Sequence, residues 1–291
     1  MRDERPRRLA LDVLGNRWDL ELPPGRVGDA IADVVGDLLV GGPAGDDRAQ
    51  APPAQRTWSL RAAPGASGVE GWELASAGRR LLWSPRPDTL AVDALRLLNS
   101  AAIEAEATFS VHAAVLALDG RAAVLPADSG TGKTTFCAAA LRAGLTYLTD
   151  EAARFPDASS ARVLGYPRPL SLHRASQALL GLEPSGVSDA TEGLYRASAL
   201  GPVGRAPESR VAVIALLDRR PGPTRLEAIP RSAAAELLLR QSFNHYRDPR
   251  GAFLRATRLA AAATTWALGY EEAPQAVGLL RQALAEPPPT R

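Results

Sequence analysis

The sequence predicts an α/β protein in two parts, a small α+β module over residues 1–88 and a larger α/β domain over 89–291. Three observations lead there. Apolar runs of strand length alternate with stretches of helical periodicity along most of the chain. A glycine-rich turn, "PADSGTGKTT" at 126–135, joins a strand-like run to a helix-like one. The composition, 46% hydrophobic and 23% charged over 291 residues, is that of a globular chain with room for a sizeable core.

Each element has a local reason. Leu9–Leu14 and Trp18–Leu22 alternate as strands, and "VGDAIADVVGDLL" at 27–39 is an amphipathic helix. A Gly/Pro/Asp-rich loop over 41–55 comes next, then strands in "TWSLRA", "EGWELAS" and "RRLLWS". "SPRPDT" at 84–89 reads as a hinge because two prolines interrupt regular structure, and Asp88 is placed to cap a helix over Ala91–Ala107. "FSVHAAVLALDGRAAVLPA" is a pair of strands turned at Asp119-Gly120. Phe136–Ala143 continues as helix, with Gly144 at its left-handed end, and "LTYLTDE" is the following strand. Ser185–Pro207 is polar and Gly/Pro-rich and reads as a mobile loop. "VAVIALLD" at 211–218 and "TRLEAI" are strands, Ser232–Ser242 and Gly251–Ala263 helices, "TTWALGY" a strand and Ala273–Ala285 a last helix ended by prolines.

Composition excludes several function classes. The formal net charge is only +2, and no block of like charges marks a nucleic-acid groove. One cysteine forbids an internal disulfide and fits a reducing compartment. No apolar run is long enough for a signal peptide or a membrane span, so a cytoplasmic protein is expected.

The glycine-rich turn carries the chemistry. It follows G-x-x-x-x-G-K-[ST], the phosphate-binding P-loop, with Ala127 in place of the first glycine. Ala would cost about 1 kcal/mol there if the position needed a positive φ. Asp128, Ser129, Gly130, Thr131, Gly132, Lys133, Thr134 and Thr135 form the candidate nucleotide cradle. Gly130 and Gly132 allow backbone N–H groups to turn inward, and the helix N-terminus adds its partial positive charge. The Thr134 hydroxyl is a candidate Mg²⁺ ligand. Lys133 is the only lysine among 34 basic residues. A compact ammonium on a flexible stem can touch two phosphates as a point charge, which the planar arginine fork does not imitate.

A carboxylate near the γ-phosphate is the next requirement. Asp150-Glu151 ends the strand after the loop's helix, at the strand edge where phosphates bind. His112 lies on the strand leading in. Arg168, His173 and Arg174 in "YPRPLSLHR", and Arg210 and Arg255, are weaker phosphate or acceptor candidates. Cys137, among Ala and Phe on the loop's helix, reads as a small core residue.

The stretch "VHAAVLALDGRAAVLPADSGTGKTTFCAAALRAGLTYLTDEA" resembles the C-terminal catalytic domain of HPr kinase/phosphorylase. His112, Asp119-Gly120, Asp128–Thr134, Arg142-Ala-Gly144 and Asp150-Glu151 carry the match. "GYPRPLSLHR" at 165–174 is similar to HPr kinase-like proteins encoded beside peptide natural-product genes, some of which phosphorylate a precursor peptide. The resemblance implies a mixed sheet flanked by helices, with ATP and Mg²⁺ as cofactors. It further implies Asp150 as the base for an acceptor hydroxyl, Glu151 as a magnesium ligand or positioner of Asp150, and His112 hydrogen-bonding near the transferred phosphate or the acid. The family usually has two aspartates where this chain has Asp-Glu, and its HPr-specific signature is absent here, which argues against HPr as acceptor. Family members are hexamers, which leaves a homo-oligomer open, and no interface is legible in the sequence.

Three functions stay open from the residues. One is a kinase for a Ser/Thr hydroxyl of a peptide or small protein, such as a precursor peptide. The second is a small-metabolite kinase, and the third is a non-catalytic nucleotide-gated switch protein.

Overall fold

The computed structural model describes residues 5–41, 54–156, 160–204 and 209–286. Most of the expected 41–55 loop, residues 205–207 of the expected mobile loop and the terminal prolines lie outside the described residues. The chain divides into two compact units, Met1–Ala105 with Arg168–Arg196 and Glu106–Pro167 with Ala197–Arg291. This partition differs from a single break after residue 88.

The first unit begins with β1 (Arg7–Val13), β2 (Asn16–Leu22), α1 (Arg26–Val34), β3 (Arg56–Ala62), β4 (Trp72–Ser76), β5 (Arg79–Ser84) and α2 (Pro87–Ala105). The five strands form one sheet in sequence order. Its hairpins turn at Leu14-Gly15 and Ala77-Gly78, where both residues of each pair have positive φ, as tight two-residue turns require. The expected hinge is a helix start: Pro87 opens α2, where its missing N–H costs no bond. α2 packs on β4 and β5, which places it in this unit.

The second unit opens with β6 (Phe109–Leu118), β7 (Arg121–Pro126), α3 (Lys133–Arg142), β8 (Thr146–Thr149) and β9 (Ala152–Phe155). The chain then returns to the first unit as β10 (Leu170–His173), α4 (Arg174–Leu179) and β11 (Glu192–Tyr195). β11 lies inside the segment expected to be a loop. It pairs antiparallel with β10, His173 opposite Glu192. Asp189 holds the turn before β11 by accepting from the backbone N–H groups of Thr191 and Glu192, a local device that stabilises structure in a polar stretch. β12 (Arg210–Arg219), β13 (Arg225–Ala228), α5 (Arg231–Arg240), α6 (Pro249–Ala262), β14 (Thr264–Tyr270) and α7 (Ala273–Ala285) complete the second unit.

Its mixed sheet has the order β13-β14-β12-β7-β6-β8, with β9 also on β6. β7, β12 and β14 are parallel, while β6 runs against both β7 and β8. The C-terminal ends of β7, β8, β12 and β14 therefore share one edge. α5 and α6 pack together on a core that includes Val111, Val115, Val124 and Ile214. Ala252, Ala256 and Ala260 are buried four residues apart on α6, a small-residue stripe that lets the helix lie close to the sheet. α3 and α7 pack against each other and against β6.

Candidate functional site

The loop after β7 is shaped by two glycines. Gly130 has φ 84° and Gly132 has φ 91°, left-handed values that an L side chain resists. Ala127 is not among the described non-glycine residues with positive φ, so alanine carries no backbone cost there. It is buried at the strand end. Asp128, Ser129 and Gly130 are exposed, while Thr131, Gly132, Thr134 and Thr135 are half-buried.

Lys133 is buried at 6% exposure, and its Nζ donates to the carbonyls of Ala127 (2.7 Å) and Asp128 (2.9 Å). The ammonium thus lies under the loop that its own helix begins. Burial pushes its pKa below the ordinary lysine value, against the opposing pull of Glu151, Asp150, Cys137 and Asp128. The loop is tied from two sides. Gln241, at the end of α5, donates to Asp128 Oδ1 (2.6 Å), and Tyr270 donates through its hydroxyl to the Thr131 carbonyl (3.3 Å). The Tyr270 ring meets Phe136 edge-on at 5.6 Å, and burial raises its phenol pKa to about 12.

The two acids occupy different environments. Asp150 is 2% exposed; its Oδ2 accepts from Thr134 Oγ1 (2.7 Å) and its Oδ1 from the Tyr147 hydroxyl (2.8 Å). Glu151 is more open, and its Oε1 lies 3.8 Å from His112 Nε2, with side-chain exposures of 26% and 21%. The backbone explains the separation. β6 pairs with β8 up to Thr149 and with β9 from Ala152, so Asp150 and Glu151 form a two-residue break between strands. Thr149 Oγ1 steadies that break by accepting from the N–H groups of Glu151 and Ala152. The His112 ring also stands 5.6 Å from Phe243, and its backbone N–H bonds the Gln241 carbonyl (2.8 Å).

His112, Lys133, Thr134, Asp150 and Glu151 are therefore joined through direct contacts or through the loop in one unit. Of the weaker candidates, Arg168, His173 and Arg174 belong to the first unit. Arg210 begins β12, opposite Arg121 at the start of β7, and so stands at the sheet edge away from the loop. Arg255 stands in the middle of α6. Cys137 is fully buried, as a core residue should be.

Tyr147, Gln241, Phe243 and Tyr270 are site residues that sequence reasoning missed. Tyr270 ends β14, so the rule that strand C-termini share the phosphate-binding edge could have found it. Gln241 and Phe243 had no such signal.

Thr134 and Asp150 offer adjacent hydroxyl and carboxylate oxygens, the hard donors that Mg²⁺ prefers. Among the described residues no group of three His, Cys, Asp or Glu is gathered around an ion site. Such a pair suits an ion that takes its remaining ligands from phosphate and water. Among the described residues no helix is long and apolar enough to cross a membrane.

No protein-family model matches the chain. No curated protein matches it either. Among solved structures, the Hpr(Ser) kinase/phosphatase from Coxiella burnetii aligns over 60% of this chain and 94% of its own, at 12% identity and a TM-score of 0.29. A likeness of that size carries no functional argument.

Proposed function

We propose that the second unit is an ATP-dependent phosphotransferase that moves a γ-phosphoryl group to a Ser or Thr hydroxyl of a peptide or small protein. The observation that carries this reading is the union of a P-loop with two unlike acids. Asp150 touches the loop hydroxyl of Thr134, while Glu151 faces His112. A loop that only binds nucleotide has no need of the second acid.

The geometry favours exchanging the expected roles of the acids. Asp150 is buried and accepts from Thr134 and Tyr147, which suits a fixed carboxylate on the metal side. Glu151 is the more accessible acid and suits the base. In this reading the acceptor oxygen forms its bond to the γ-phosphorus while the bond to the β,γ-bridging oxygen breaks and ADP leaves. The acceptor proton passes to a Glu151 carboxylate oxygen, and His112 orients that carboxylate. Lys133 and the loop N–H groups hold the phosphates. Mg²⁺, when bound, neutralises charge on the phosphate oxygens.

The peptide acceptor is supported by the resemblance of "GYPRPLSLHR" to kinases of peptide natural-product clusters. Intact-mass analysis after incubation with MgATP and candidate peptides tests the whole reading. Addition of one phosphate, absent with Lys133→Ala and Glu151→Gln, is expected. ATP hydrolysis with no phosphorylated peptide or metabolite would replace it with a nucleotide-gated switch.

A further inference from the structure

The arginine that the P-loop itself lacks stands at the end of β12. A methyl group built on Gly132 would lie 3.7 Å from Arg219 Cδ, 3.9 Å from Arg219 Nη1 and 3.7 Å from the Tyr270 hydroxyl. The stem of Arg219 therefore runs beside Gly132, the residue that caps α3, and its Nη1 lies on the same side of that glycine. Arg219 Nε donates to the Glu271 carbonyl (3.4 Å), which anchors the guanidinium at one of its nitrogens. Arg220, its neighbour, is paired with Asp218 at 3.1 Å. The two adjacent arginines thus have different tasks.

Sheet order gives Arg219 a direction. β7, which leads into the loop, has β12 on one side and β6 on the other, with β8 beyond β6. β8 leads to Asp150 and Glu151, and β12 leads to Arg219. The acids and Arg219 therefore flank the loop from opposite sides. A triphosphate whose γ end meets the acids has its α end, and its nucleoside, on the Arg219 side.

Resting on the nucleotide-binding reading above, we propose that Arg219 is a nucleotide-binding residue whose guanidinium grips the α/β end of the phosphate chain. This contact differs in kind from one made to the γ-phosphate. It is present in the bound di- and triphosphate alike, so it sets nucleotide affinity and not the transfer step. A planar fork suits two phosphate oxygens at once.

Calorimetric titration of MgATP and MgADP into the full chain, with the variants Arg219→Ala, Arg219→Lys, Arg220→Ala and Lys133→Ala, tests it. Arg219→Ala is expected to weaken both nucleotides by a similar factor, about tenfold, as loss of one charged hydrogen-bonded contact implies. Arg219→Lys should recover part of that loss, and Arg220→Ala should match the wild type. Circular dichroism checks that each variant is folded. If Lys133→Ala loses binding but Arg219→Ala does not, Arg219 is a solvated strand end and this proposal fails while the P-loop reading stands. Weakened ATP with unchanged ADP would move Arg219 to the γ-phosphate and overturn the assignment. A folded wild type that binds neither nucleotide would sink both readings.

Discussion

Thr134 Oγ1 donates to Asp150 Oδ2 at 2.7 Å, which ties the first turn of α3 to the end of β8. Glu151, one residue on, instead has an oxygen 3.8 Å from His112. The two acids should therefore fail differently. Asp150→Asn removes a charge beside the loop hydroxyl and should weaken MgATP binding along with transfer. Glu151→Gln should leave MgATP binding within about twofold and lower transfer by roughly 10²–10⁴, the range for loss of a positioned base. Binding titrations paired with phosphopeptide yield separate the two. The reverse pattern would restore Asp150 as base.

Gly132 has φ 91°, and a methyl group there would meet Arg219 and Tyr270 at 3.7 Å, ordinary contact distance. The space is tolerable but the backbone is not. Gly132→Ala should cost on the order of 1–2 kcal/mol in unfolding free energy through left-handed strain. It should also lose nucleotide binding, because relief of that strain turns the loop N–H groups aside. Denaturant unfolding and ATP titration on the same variant check both effects. Unchanged stability would show that the loop relaxes without penalty.

Local chemistry explains what was legible in the sequence. Asp119-Gly120 has positive φ at both positions, and Gly144 has φ 85° just past α3, each as its neighbours required. α7 spans Ala273–Ala285, and β14 spans Thr264–Tyr270, as periodicity predicts. What escaped was non-local. β11 is made a strand by pairing with β10 and by the Asp189 turn, and polar composition masks both. Gln241 reaches Asp128 across 113 positions of sequence, a meeting that only the sheet topology creates. Tyr147 hid inside an apolar strand, where an aromatic normally means core. Its hydroxyl finds Asp150 only because the strand breaks after Thr149.

Glu106 is 4% exposed and forms an ion pair with Arg154, while its backbone carbonyl accepts from Arg247 (2.8 Å) and Asn244 (3.3 Å). Its Oε1 also accepts from the Thr108 N–H and hydroxyl, both at 2.7 Å. Glu106→Ala leaves a largely buried guanidinium uncompensated. It should destabilise the second unit by about 3–5 kcal/mol. Glu106→Gln, which keeps an acceptor for Thr108, should cost less. Urea unfolding of the three proteins decides it; equal costs for both variants would mean that packing and not charge holds this corner.

Lys133 supplies the pH prediction. Burial lowers its pKa below the ordinary lysine value, so the folded chain releases this proton at a lower pH than the unfolded chain does. In the window between those two values the unfolded state binds more protons, and stability rises with pH. The buried ammonium is therefore a cost to folding at neutral pH that serves ligand binding. Phosphate acts in the opposite sense: it favours the ammonium and raises its pKa. ATP affinity should be constant below the lowered Lys133 pKa, then fall as pH rises through it, earlier than an exposed lysine would dictate. Binding in that range should take up protons, visible as a dependence of the calorimetric enthalpy on the buffer's ionisation enthalpy. Asp128, Asp150, Glu151 and the Cys137 thiol are the groups acting on Lys133, and Tyr270, whose phenol pKa burial raises to about 12, ties the loop. Affinity that holds steady up to the pH at which the protein unfolds would show that Lys133 keeps its proton throughout, and that burial does not weaken it in the site.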